Sequence, residues 1–152
     1  EYDYRPTQIT VIPKKINFWS ETRGILFDIT NKLNDLGLHV FESSHSLDIL
    51  PPGISKLNLV KACEEIAKQT GKPGLALCIG DKGEWPGNDF ELLSTKYSLS
   101  VDSVSTDLTS CWNLAKAGNR GVQATFEYLQ FMKIENGKVK FKISDGVIVN
   151  EG

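Results

Sequence analysis

Two carboxylates and an amide follow the strand-like apolar run Leu75–Ile79. Asp81 comes directly after Gly80, and Asn88-Asp89 follows a loop containing Gly, Pro and Trp. All three are hard oxygen donors of the kind Mg²⁺ takes, since that ion uses one or two protein carboxylates and otherwise keeps water or phosphate oxygens. Gly80, Gly83 and Gly87 would let the backbone turn tightly and approach a ligand closely. The same residues also suit a solvated turn in which Asn88 or Asp89 caps the following helix. Lys56 follows Pro52-Gly53 at the expected start of a helix. A cation does not favour that end of the helix dipole. Lys56 and the helix terminus together would form a positive corner able to hold phosphate; an exposed, solvated lysine is the alternative.

Other reactive side chains read as surface groups. His39 and His45 lie among Ser43, Ser44 and Ser46, and nothing marks the orienting group or oxyanion hole that a Ser/His pair needs. Asp28 falls on the polar face of an expected helix. Trp85 and Trp112 sit in loops, where they either line a pocket or pack locally.

The elements that must position these groups follow from periodicity. Gln8–Lys14 is β-rich. Over 20–36, Ile25, Leu26, Ile29, Leu33 and Leu36 recur at spacings of three and four, predicting a helix with that face inward and Gly37 as its C-cap. Residues 38–50 read as two short strands around a Ser-rich turn. Pro51-Pro52-Gly53 breaks the chain. Ser55 is expected to cap a second helix, with Leu59, Val60, Cys63, Ile66 and Ala67 inward. A strand at 75–79, a helix near 88–95 and a strand at 97–101 come next. Residues 102–121 look like a long surface loop. A helix over 122–132 would turn Phe126, Leu129 and either Met132 or Tyr128 inward. The tail from Gly137 alternates around Asp145-Gly146 as one hairpin. From residue 55 the helix and strand order implies a parallel sheet covered by helices. Ligands of such sheets bind outside the carboxyl ends of the strands, where Asp81 falls.

With 152 residues the chain can bury a real core. Its net charge of −2 offers no general attraction to nucleic acid or anionic membrane. No apolar run approaches the ~20 residues that span a bilayer. Cys63, Cys78 and Cys111 form no CxxC pair, which argues against a zinc site and points to a reducing, cytoplasmic compartment.

"LDILPPGISKLNLVKACEEIA", followed some way on by "LALCIGDKGEWPGNDFELL", resembles the C-terminal half of haloacid dehalogenase-like phosphatases. It is most similar to the Cof-type and sucrose-phosphate phosphatases, whose large α/β cap is inserted late. The resemblance covers residues 38–101, with 1–37 fitting the end of a cap more loosely. It implies an α/β, Rossmann-like parallel sheet with helices on both faces: 1–50 as the end of the cap and 51–152 as the C-terminal part of the core. Lys56 matches the family's conserved lysine and is expected to contact phosphate. Asp81, Asn88 and Asp89 match its magnesium loop. Asp81 and Asp89 would ligate Mg²⁺, Asp89 would also orient Lys56 or a metal-bound water, and Asn88 would hold the loop or the phosphate. The implied activity is Mg²⁺-dependent hydrolysis of a small phosphorylated metabolite, such as a sugar phosphate, through an aspartyl-phosphate.

Two features depart from the family pattern. "KGEWPG" (Lys82–Gly87) lengthens the metal loop, and Glu84 could join the site. The family's Asp-x-Asp nucleophile motif is absent from these residues. The chain therefore reads as the C-terminal part of a longer enzyme, inactive alone and expected to self-associate or to need its missing part. The rival reading is a non-catalytic module that binds phosphate or a partner.

Overall fold

The computed structural model describes residues 2–5, 7–144 and 147–148, with backbone alone for 2–5, 143–144 and 147–148. The chain is mixed α/β and forms two compact units, Glu1–Ser55 with Pro86–Asn88, and Lys56–Trp85 with Asp89–Gly152.

The first unit is built on a four-stranded antiparallel sheet. Strands β1 (Tyr2–Arg5), β2 (Gln8–Val11), β3 (His39–Glu42) and β4 (Leu47–Leu50) lie in the order β1-β2-β4-β3. Strand β2 stops before Pro13, which lacks a donor for the ladder. Helix α1 (Trp19–Lys32) is followed by a 3₁₀ turn, Asn34–Leu36. Gly37 closes that turn in the left-handed conformation, φ 60°, as its position predicts. The inward face of α1 is a correction. Thr30 is its buried residue, while Ile25, Ile29, Leu33 and Leu36 are exposed. Thr30 can turn inward because its hydroxyl donates back to the Leu26 carbonyl at 3.0 Å, which satisfies it.

The second unit contains a parallel pair, β5 (Cys78–Lys82) and β6 (Ser98–Ser103), with helices α2 (Leu57–Gln69), α3 (Phe90–Leu93) and α4 (Val122–Phe131). Its core joins Leu99 and Val101 of β6 to Ala124 and Tyr128 of α4, with Leu77 and Ile79 packed against them. Strand β5 begins three residues later than periodicity predicts. The Ala76 N–H is taken by the Glu64 carboxylate at 3.0 Å, and strand pairing begins where Cys78 N–H donates to the Tyr97 carbonyl. Lys56, not Ser55, takes the N-cap position of α2, without a side-chain cap. Leu59, Cys63 and Ile66 of α2 are exposed, against expectation. Helix α4 turns Ala124, Glu127 and Tyr128 inward and leaves Phe126 and Leu129 exposed.

The loop after β6 is more than surface. Ser110 and Cys111 are buried in it, and Trp112 bridges Leu99. The tail holds two hairpins rather than one. Strands β7 (Lys133–Glu135) and β8 (Lys138–Lys140) pair antiparallel through Asn136-Gly137, whose φ values of 51° and 71° suit a type I′ turn. Strands β9 (Ile143–Ser144) and β10 (Val147–Ile148) also pair antiparallel; the expected turn, Asp145-Gly146, lies outside the described residues. Among the described residues no helix is long and apolar enough to cross a membrane.

Candidate functional site

Asp81 is the penultimate residue of β5, close to the carboxyl end of the parallel pair. The register shifts here: Gly80 faces Ser100, but Lys82 faces Ser103, so β6 carries one extra residue opposite Asp81. The backbone of Asp81 is pinned on both sides. Its carbonyl accepts from Ser103 Oγ at 3.0 Å, and its N–H donates to Asp89 Oδ2 at 2.8 Å.

Asp89 occupies the N-cap position of the short helix α3 but makes no capping bond. Its buried carboxylate faces the other way. Oδ2 takes the Asp81 N–H, and Oδ1 pairs with the Lys56 ammonium. This decides against the solvated-turn alternative for Asp89. Lys56 reaches across from the start of α2 with its side chain half exposed. The cation that the α2 dipole disfavours is thus met by a buried anion.

Glycine at position 80 makes this approach possible. A Cβ there would stand 2.5 Å from Asp89 Oδ2 and 2.7 Å from its Cγ. A Cβ at Gly83 would overlap Cys111 Sγ and lie 2.9 Å from the Ser103 carbonyl oxygen. Neither glycine has a positive φ. Their small size admits neighbouring protein groups, where the sequence suggested turning and access for a ligand.

The two carboxyls are pushed in opposite directions. Burial and the facing Asp89 raise Asp81 above the usual carboxylate value. Burial also acts to raise Asp89, but the hydrogen bonds from Lys56 and the Asp81 N–H outweigh it and hold Asp89 below that value. Of the two carboxyls, Asp89 is therefore the one that gives up its proton more readily. Carboxyl pairs separated in this way divide acid and base roles between them.

Asn88 is counted with the first unit. Its N–H donates to the Glu42 carbonyl at 2.9 Å, beside the Glu42–Gly87 bridge, and its buried Oδ1 has no hydrogen-bond partner among the described residues. Lys56, Asp81 and Asp89 are the predicted site residues brought together in the second unit. Glu84 is exposed. Trp85 packs edge-on against Phe90 at 5.5 Å, and Trp112 Nε1 donates to the Leu108 carbonyl, so both pack locally. Asp28 pairs with Lys32 on the exposed face of α1. Ser43 Oγ accepts the Ser46 N–H at 2.9 Å and serves the turn. Sequence reading missed Ser103, because no spacing links it to position 81.

The donor set suits Mg²⁺ in one manner only. Two neighbouring carboxyls could serve a divalent cation as hard oxygen ligands, with the remaining positions left to water or phosphate. Asp81 has the freer carboxyl, whereas both oxygens of Asp89 are already met. Among the described residues no group of three or more His, Cys, Asp or Glu could cage a metal. No protein-family model matches this chain, and no curated protein matches it.

Proposed function

We propose that the second unit carries the lysine and metal-side part of a haloacid dehalogenase-like phosphatase site, acting on a small phosphorylated metabolite of the sugar-phosphate kind. One observation carries this reading: the buried Asp89 carboxylate fixes both the Lys56 ammonium and the backbone of Asp81 at the carboxyl end of β5. The parallel β5–β6 pair and the packing of α4 against it support a Rossmann-like core.

In this reading Lys56 holds a phosphate oxygen and offsets charge that grows in the transition state. Asp89 positions Lys56 through their ion pair. Asp81, with Asp89 beside it, would hold Mg²⁺, and the ion would supply further charge neutralisation at phosphorus. The attacking carboxylate would come from outside these residues, since the sequence contains no Asp-x-Asp. That same absence favours a second reading, a module that binds phosphate without turnover.

The test is a titration of Mg²⁺ and of inorganic phosphate, followed at the amide resonances of Gly80, Asp81 and Asp89. Saturable shifts with Mg²⁺, and phosphate binding tightened by the ion, are expected. Asp81→Asn should weaken the Mg²⁺ response at least tenfold, and Lys56→Ala the phosphate response. No saturable response to either would overturn both readings. Mg²⁺-dependent release of p-nitrophenol from p-nitrophenyl phosphate by this chain would overturn the binding-only module and the external nucleophile together.

A further inference from the structure

A second concave site lies toward the opposite end of the parallel pair. It is a cavity of about 320 Å³ between α2 and the segments that lead into β5 and β6. That volume is at the lower end of small-molecule sites. Leu57, Val60, Leu75 and Ala76 make an aliphatic wall. Lys61 and Lys96 add two ammonium groups, neither in an ion pair among the described residues. Lys96 Nζ stands 5.4 Å from the centre of the Tyr97 ring, which presents an aromatic face beside the cation. The one acid in the lining, Glu64, has Oε1 committed to the Ala76 N–H.

The geometry points to a binding site here for a small amphipathic anion: an aryl or alkyl body on the aliphatic wall and Tyr97, with a carboxylate or phosphate head between Lys61 and Lys96. Charge decides the class of occupant. Two cations against one acid, itself drawn toward the backbone, favour an anion. The small volume excludes a folded partner and admits one ring with its head group. Asp81 and Asp89 take no part, so the inference stands independently of the phosphatase reading.

The test uses the whole chain with three probes: phenylacetate, phenyl phosphate and the neutral 2-phenylethanol. Amide shifts are followed at Leu57–Glu64, Leu75–Ala76 and Thr95–Tyr97. Both anions should give saturable shifts confined to these residues, and the neutral probe should bind at least tenfold more weakly. Comparing the two anions tells whether a carboxylate or a phosphate head is preferred. Lys61→Ala and Lys96→Ala change exposed side chains and should each weaken anion binding severalfold. Glu64→Gln keeps an acceptor for the Ala76 N–H and should tighten it. Absence of saturable shifts at millimolar probe overturns the site. Equal binding of the neutral probe, or indifference to both lysine changes, overturns the anion preference.

Discussion

Asp81 and Asp89 are the same amino acid in one small site, yet the fold treats them oppositely. Asp89 is buried with both oxygens met, by Lys56 and by the Asp81 N–H. Asp89→Asn removes the charge that Lys56 answers and unbalances a buried bond, so it should cost about 1–3 kcal/mol in urea denaturation. Asp81 is raised by burial and by its negative neighbour, so ionised Asp81 strains the folded state. Asp81→Asn should therefore raise stability at neutral pH without Mg²⁺, and it should abolish any stabilisation by the ion. The pH dependence follows from the same two directions. Asp89 titrates lower in the folded chain than in the unfolded chain. Its contribution is present above the unfolded carboxylate value and is lost as pH falls through the lowered folded value. Asp81 contributes fully below the unfolded value and loses that contribution as pH rises through its raised folded value. Denaturation midpoints measured against pH should rise with acid removal in Asp81→Asn, where the Asp89 effect stands alone, and less in wild type. Gly80→Ala would drive its Cβ into the Asp89 carboxylate and should destabilise by about 1–3 kcal/mol, the usual cost of overpacking. A stability equal to wild type would show that Asp89 can turn aside freely. Residues 56, 81 and 89 could be picked out from the sequence because their types and order resemble a known pattern. The role of Gly80 could not, since a glycine beside a strand end looks alike whether it serves a turn or a neighbour's carboxylate.

At the scale of elements, the sequence predicted that helices would form better than it predicted which faces they would bury. Helix α4 carries two apolar stripes. One runs through Val122, Phe126 and Leu129, the other through Ala124, Tyr128 and Phe131. Period alone cannot choose between them. Bonding chooses: the Tyr128 hydroxyl donates to the Ser100 carbonyl at 2.7 Å and accepts the Leu114 N–H at 2.9 Å, tying α4 to β6 and its following loop. Glu127 on the same face accepts from the Lys116 N–H and from Asn119 Nδ2. Tyr128→Phe should therefore cost about 1–3 kcal/mol, because it removes a buried bond to the Ser100 carbonyl and a half-buried one from the Leu114 N–H. Phe126→Ser, on the exposed stripe, should stay within about 0.5 kcal/mol of wild type. Thermal or urea unfolding of the two variants checks the face assignment, and the reverse order of effects would reject it. The Asn136-Gly137 hairpin was legible as a turn dipeptide between alternating residues. It is overlooked when the whole tail is read around Asp145-Gly146.

At the scale of the whole molecule, periodicity gave the class of fold, mixed α/β with a parallel pair, but not how much apolar surface stays uncovered. In the first unit α1 and the 3₁₀ turn that follows it expose Ile25, Ile29, Leu33 and Leu36. In the second, α2 exposes Leu59 and Ile66, and α4 exposes Val122, Phe126 and Leu129. Singly exposed apolar residues are ordinary, but rows at helical spacing are not. A two-stranded parallel sheet is also unusual, because parallel strands are normally found in larger sheets covered on both faces. Burial of apolar surface releases about 25 cal/mol per Å², so these rows favour association with any complementary apolar surface. With a net charge of only −2, repulsion between copies is weak. The chain alone should therefore self-associate. Light scattering should give a mass above 16.9 kDa that rises with concentration. Replacing Val122, Phe126 and Leu129 by Ser should lower that mass without unfolding the chain, since none of the three is buried. A constant monomer mass across the concentration range would show that the rows are tolerated in water and would overturn the expected self-association.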